Sequence, residues 1–252
     1  TYLGIAYNKN KSFTVINEIL EFVGNELIKL GIIKSIDELR NLGTPKGKPI
    51  SISNTVLNTL NNLLRKNKYE NKLIEYYKKQ YWDVNKCDDI SSQTLAEELF
   101  DFGVNAGPPT AAKILQRLVD VKDDGNLGEM SLYAINCAIC FDLFSLQLNF
   151  ALEKIKHYHR ISKAPGSENR KYIHGWLNRT YEIFDGFYEI DDLKRIVQKT
   201  SSDGKTGPKN MRGLKLYLEE DYNNLLRFIK IYDANIAYKT NKNVNALISA
   251  LE

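Results

Sequence analysis

The chain has 252 residues, 43% hydrophobic and 26% charged, with a net charge of +4 and a pI near 8.7. That length supports a substantial core, and that composition is the one of a folded globular chain, which excludes a disordered or low-complexity polypeptide. The basic residues are scattered and often stand beside acids, as where Asp191-Asp192 precede Lys194-Arg195, so no basic tract with interleaved aromatics points to nucleic acid.

Taken in chain order, the apolar periodicity is helical nearly throughout. The chain opens Thr1-Tyr2-Leu3-Gly4-Ile5-Ala6, without Met or an export signal, so Thr1 is expected to be a boundary set by processing, by the choice of segment or by ordering. Phe13, Ile16, Ile19, Leu20, Val23 and Leu27 recur at three- and four-residue steps and predict an amphipathic helix that Gly31 ends. Ser35 and Glu38 have capping-box spacing and open a short second helix that ends near Gly43. Loop residues follow at 44–49. Ser53 then starts a helix carrying Val56, Leu57, Leu60, Leu63 and Leu64, and another runs from Glu70 to Trp82.

Ser92 to Asn105 predicts a further helix with Leu95, Ala96, Leu99 and Phe102 toward the core. Gly107-Pro108-Pro109 resets the chain direction, with Pro109 in the first turn of a helix that reaches Val119. Asp124-Gly125 is a turn, and helices follow from Glu129, over Phe141–Ser162 and over Glu168–Phe184. The segment from Glu189 to Glu252 is helical again, and its Asp203-Gly204-Lys205-Thr206-Gly207 echoes the earlier Asp124-Gly125-Asn126-Leu127-Gly128. No alternating apolar pattern bounded by turns predicts a sizeable sheet, so the expected class is all-α.

No apolar run approaches the ~20 residues of a helical bilayer span. The most apolar stretch, Tyr133 to Phe150, is interrupted by Asn136, Asp142 and Gln147 and is expected to be a buried helix rather than a membrane span. Three cysteines, an odd number, cannot complete a disulfide framework. Cys137 and Cys140 share one helical face and are expected to be buried free thiols, because no second Cys or His pair has ligand spacing. His157 and His159, two apart, face different directions on a helix, so no metal is expected.

Several residues carry chemistry of interest. Tyr81-Trp82 closes a tyrosine-dense helix, and aromatic rings stack on sugar faces; the alternative is one ring in the core and the other at a rim, with Trp82 the core residue and Tyr81 the stronger cleft candidate. Asp101 and Asn105 are four apart on one helical face otherwise flanked by Leu99, Phe100, Phe102 and Val104. Such a pair must be hydrogen-bonded, either as a structural tie or lining a cleft, and Gly103 and Gly107 would let another backbone approach it. Trp176 is expected to pack its helix against the core, with Arg179 pairing a carboxylate such as Asp101. Glu18, Glu21, Glu26, Glu97 and Glu98 lie on amphipathic helices, where acids are ordinarily solvated, and nothing marks any of them as a catalytic acid.

In order along the chain, Thr1-Tyr2-Leu3-Gly4-Ile5, Tyr81-Trp82, Leu99-Phe100-Asp101-Phe102-Gly103-Val104-Asn105-Ala106-Gly107, Leu115-Gln116 with Asp124-Gly125-Asn126-Leu127-Gly128, and Gly175-Trp176-Leu177-Asn178-Arg179 resemble the glycoside hydrolase family 108 muramidases and their predicted peptidoglycan-binding part. The resemblance ends near Phe187. It implies a lysozyme-like helical fold with a muramidase-like region over 1–80, a peptidoglycan-binding helical region over 81–188 and a helical extension over 189–252, a possible site for a protein partner. It further implies cleavage of the β-1,4 bond between N-acetylmuramic acid and N-acetylglucosamine, outside the cytoplasm and without metal or organic cofactor. The acid would be a glutamate in a Glu-Gly-Gly stretch ahead of Thr1. Thr1, Tyr2, Tyr81, Trp82, Asp101 and Asn105 are the substrate-binding residues it implies here. A non-catalytic peptidoglycan-binding or adaptor protein on the same scaffold is the alternative.

Overall fold

A computed structural model describes residues 14–42, 48–186, 188–203 and 219–252. Among these residues there are eleven α-helices and no strand, as the periodicity predicts. Thr1, Tyr2, the loop at 43–47 and the second Asp-Gly turn lie outside the described residues. The chain divides after Gln80 into two compact units.

The first unit contains α1 (Thr14–Lys29), α2 (Ile36–Arg40), α3 (Asn54–Lys66) and α4 (Tyr69–Tyr77). Ile16, Ile19 and Leu27 form the buried stripe of α1, and Gly31 at φ +69° turns the chain out of it. Gly24 sits where a side chain would meet Ile36 Cγ1 at 2.7 Å, so its bareness lets α2 pack closely on α1. Glu38 Oε1 accepts from the Ser35 N–H at 3.1 Å, and Ser53 Oγ accepts from the Val56 N–H at 3.3 Å, so both predicted helix starts are capped. Leu27, Ile33, Leu39 and Leu60 make the core.

The second unit contains α5 (Gln93–Ala106), α6 (Pro108–Leu118), α7 (Glu129–Ser162), α8 (Ile173–Asp185), α9 (Ile190–Asp203), α10 (Glu219–Asn241) and α11 (Val244–Ser249). Their buried faces form one cluster, including Leu95, Leu99 and Phe102 of α5, Leu115 of α6, Phe150 of α7, Leu177 and Phe184 of α8, and Leu225 and Phe228 of α10. Helix α7 is interrupted at Asp142 (φ −158°, ψ 87°), whose carboxylate accepts from the Ser145 N–H at 3.0 Å. The sequence accordingly reads as one helix from Glu129 and another from Phe141.

One expectation about α7 is corrected. Cys137 and Cys140 are exposed, not buried. They lie beside Met130, Tyr133 and Phe141, which are 76%, 70% and 83% exposed, while Ser131 and Ile135 turn inward. The first half of α7 is apolar all round, so periodicity alone does not say which side the core takes. The interruptions also do not lower the apolar character enough to rule out a span by composition. Among the described residues α7 is the one helix long and apolar enough to cross a membrane, with a mean hydropathy of 1.5 over its best window. Core helices meet the same criterion, and from Phe144 to Ile155 α7 is largely core.

Candidate functional site

On α5, Asp101 is buried and Asn105 is exposed. The Asp101 carboxylate binds Arg179 Nε of α8, the pairing that the sequence suggested. Asn105 Nδ2 donates to the Asp101 carbonyl at 3.3 Å. Burial, and then the Asp101 charge, push the Tyr158 phenol above its ordinary pKa, so it stays protonated. Tyr158 stacks on Trp176 at 5.0 Å and 20°. Asp101, Asn105, Tyr158, Trp176 and Arg179 thus form one cluster that joins α5, α7 and α8.

Tyr81 and Trp82 lie in a π-helical turn, Lys78–Trp82, and both are half-buried. Trp82 Nε1–H donates to Asp88 at 2.7 Å, while its ring meets Phe100 edge-on at 5.7 Å. Phe100 and Asp101 are consecutive on a helix and so point about 100° apart. The aromatic pair and the Asp101 cluster therefore occupy different sides of α5.

The closing motif of α8 acts as a three-way clamp. Arg179 reaches α5, and Trp176 reaches α7. Asn178 reaches α10 through a closed ring: His174 Nδ1 to Asn235 Oδ1 at 2.8 Å, Asn235 Nδ2 to Asn178 Oδ1 at 2.8 Å, and Asn178 Nδ2 to His174 Nε2 at 3.2 Å. The ring closes with every donor matched to an acceptor when His174 is neutral and carries its proton on Nδ1.

Gln116 organises the Asp-Gly turn. Fully buried, its Nε2 lies 3.0 Å from each of Asp124 Oδ1, the Asn126 carbonyl and Ser131 Oγ, and its Oε1 accepts from the Gly125 N–H at 2.9 Å. Gly125 has φ +82°, and a Cβ there would lie 3.1 Å from the Pro109 carbonyl, so only glycine fits. The Leu-Gln and Asp-Gly elements are one unit, tied by a single amide.

Sequence reasoning missed Glu98. Set among the carboxylates of solvated faces, it is instead 1% exposed, and neither of its oxygens has a hydrogen-bond partner among the described residues. Burial raises its pKa to about 7 even though the charge of Lys154, itself fully buried on α7, pulls the other way. A raised carboxyl is what a glycosidase acid requires, but this one is sealed from any substrate. Thr94, Glu98 and Asp101, at i, i+4 and i+7 of α5, were legible as one face. That the face is covered was not legible.

Of the other acids considered, Glu97 is exposed and Glu18, Glu21 and Glu26 are half-buried. Glu18 pairs with Lys72 at 2.6 Å, Glu21 with Arg40, and Glu26 with Lys29 at 2.6 Å, while Glu97 accepts from Gln93 at 2.9 Å. Within the first unit Glu18 and Glu21, with Phe22, Asn25 and Tyr69, line an open groove of about 480 Å³, in which Phe22 and Tyr69 stand 5.2 Å apart. Carboxylates, amides and aromatic faces together suit a polar ring compound such as a sugar.

Residues 48–107 match the family described as glycosyl hydrolase 108, and residues 110–181 match the one described as predicted peptidoglycan domain. No curated protein and no solved structure matches the chain. The two matches meet at Gly107-Pro108-Pro109, yet the α5 and α6 they separate share one core. Their names place the protein's work at the cell wall, in hydrolysing or binding peptidoglycan. Over residues 48–181, the chain is thus similar first to the glycosyl hydrolase 108 family and then to the predicted peptidoglycan domain.

Proposed function

We propose that the protein is a muramidase: it hydrolyses the β-1,4 bond between N-acetylmuramic acid and N-acetylglucosamine, with a glutamate ahead of Thr1 as general acid. The observation that carries this reading is the adjoining pair of family matches, a glycosidase match followed directly by a peptidoglycan match. The acids at hand favour an outside donor. Glu18, Glu21, Glu26 and Glu97 are held in surface contacts, and Glu98 is enclosed.

In this reading the acid protonates the glycosidic oxygen as the bond to the anomeric carbon breaks, and water completes the hydrolysis. Thr1 and Tyr2 are proposed as substrate-binding residues, and Tyr81 and Trp82 as aromatic faces for a sugar ring. Asp101 and Asn105 hold the scaffold behind it. The protein is then exported, because its substrate lies outside the cytoplasm.

The test uses the longest natural form of the protein on purified cell walls. Lysis that is lost on changing the upstream glutamate to glutamine, with wall binding kept, supports the reading. Lysis retained in that variant moves the acid elsewhere. Wall binding without lysis in the unaltered protein makes it a binding module.

A further inference from the structure

A second cleft, of about 330 Å³, lies between α6 and α7 and is used by nothing described above. Lys113 and Arg117 of α6 face Lys156, His157 and Arg160 of α7, with Glu153 beside them. The spacing is i, i+4 on α6 and i, i+3, i+4, i+7 on α7, which puts each set on one side of its helix. Four cations thus stand against one carboxylate.

The partners already present leave capacity for a ligand. Arg117 pairs with Asp123 at 2.9 Å, outside the cleft lining, and Lys156 pairs with Glu153. Lys113 has no anion within ion-pair distance among the described residues. Arg160 Nη2 donates to His157 Nδ1 at 3.1 Å, which leaves the imidazole its proton on Nε2 as a further donor. His157 is held in place edge-on to Phe102 at 5.4 Å, and burial followed by the Arg160 charge keeps its pKa low.

We propose that this cleft binds the carboxylates of the peptide stems of peptidoglycan. The inference rests on the reading of this region as peptidoglycan-binding, and the whole cleft falls inside the 110–181 match. An N-acetylated glycan strand is uncharged, and its lactyl carboxyl is consumed in the amide bond to the stem. The anions of murein are therefore the stem carboxylates, several per stem, and free amines accompany them. Forked guanidinium groups and an ammonium suit carboxylates spaced along a peptide, and Glu153 supplies one acceptor for an amine. Phosphodiester wall polymers also carry anions, but an unsubstituted polyol-phosphate chain lacks the amine that Glu153 would meet.

The test is calorimetric titration of the full chain with three probes: a disaccharide–tetrapeptide muropeptide, the same disaccharide without peptide, and a glycerol-phosphate oligomer. It is repeated with Lys113→Ala, Arg160→Gln and, as a charge-matched control away from the cleft, Lys230→Ala. Removal of the peptide should weaken binding about tenfold or more, and Lys113→Ala and Arg160→Gln should each weaken muropeptide binding about tenfold, the scale of one charge-assisted hydrogen bond. Neither should alter affinity for the peptide-free disaccharide or the melting temperature, and Lys230→Ala should change nothing. The muropeptide should also raise the pKa of His157 followed by NMR. Equal affinity with and without peptide, or unchanged binding in both cleft variants, overturns the proposal and leaves the peptidoglycan reading standing. Preference for the phosphate oligomer overturns it in favour of a phosphodiester ligand. Failure of the unaltered protein to bind purified sacculi removes the underlying reading, and this one with it.

Discussion

Asp101 on α5 and Arg179 on α8 form an ion pair across 78 positions of the sequence, with the Asp101 side chain 7% exposed and the Arg179 side chain 56%. The pair crosses from the glycosyl hydrolase match to the peptidoglycan match. Within the second unit, the last helix of the glycosyl hydrolase match and the last helix of the peptidoglycan match are therefore tied to each other.

Arg179→Ala leaves the carboxylate buried without its cation. A fully buried pair broken in this way costs about 3–5 kcal/mol, and water reaching Arg179 reduces that to roughly 1–3 kcal/mol here. Arg179→Lys should recover only part, since an ammonium lacks the planar fork. Urea denaturation of the two variants checks this. An Arg179→Ala loss under about 0.5 kcal/mol would reduce the pair to an ordinary surface contact.

The pair was legible because both partners sit in motifs whose remaining residues are plainly core. Helix starts at Ser53 and Ser92 and the exit at Gly31 were legible as well, because capping and positive φ are local chemistry. What escaped is non-local. Glu98 follows the same period as a solvated acid, and only the packing of other parts of the chain over α5 buries it. Cys137 and Cys140 share a face with apolar neighbours, yet the core lies on the opposite side of the helix. The role of Gln116 depends on a turn eight residues away closing over its amide.

Glu98 predicts a pH dependence. Its carboxyl titrates near 4.5 when unfolded and at about 7 when folded, so between these values the native state keeps a proton that the unfolded chain releases. Stability from this group is complete below pH 4.5 and is lost as pH rises through 7, by roughly 3 kcal/mol in total. Glu98→Gln, which stays neutral, should match the parent at pH 4.5 and exceed its stability at pH 8 by about 2–3 kcal/mol. Thermal melts across that range decide it. A variant less stable at pH 8 would mean that the ionised carboxylate supports Lys154 more than burial penalises it.

Gln116→Leu keeps the volume and removes every polar contact of the amide. The Gly125 N–H and the Asn126 carbonyl lose partners, at a cost of about 2–4 kcal/mol. The Asp124 carboxyl, held below its ordinary pKa first by the Gln116 amide and then by the Asn126 N–H, should titrate higher in the variant. NMR titration and faster exchange of the Gly125 amide report this directly. An unchanged Asp124 would show that its own turn, without Gln116, sets that carboxyl.

The two glycines of the α5 motif should respond in opposite directions. A Cβ at Gly103 would meet Asn85 Nδ2 at 3.5 Å, Pro108 Cα at 3.7 Å and Ala111 Cβ at 3.9 Å, all ordinary contacts. Close backbone approach therefore does not require glycine there, and Gly103→Ala should be neutral or stabilising by up to about 1 kcal/mol through helix propensity. At Gly107 the space is open, but φ is +91° and ψ 140°, a conformation essentially reserved for glycine, so Gly107→Ala should cost about 1–3 kcal/mol through the backbone alone. Denaturation of both variants tests the sign, and binding to purified cell walls tests the reason. If Gly103→Ala is stable yet binds walls poorly, the bare position serves a ligand rather than the packing of α5 on α6.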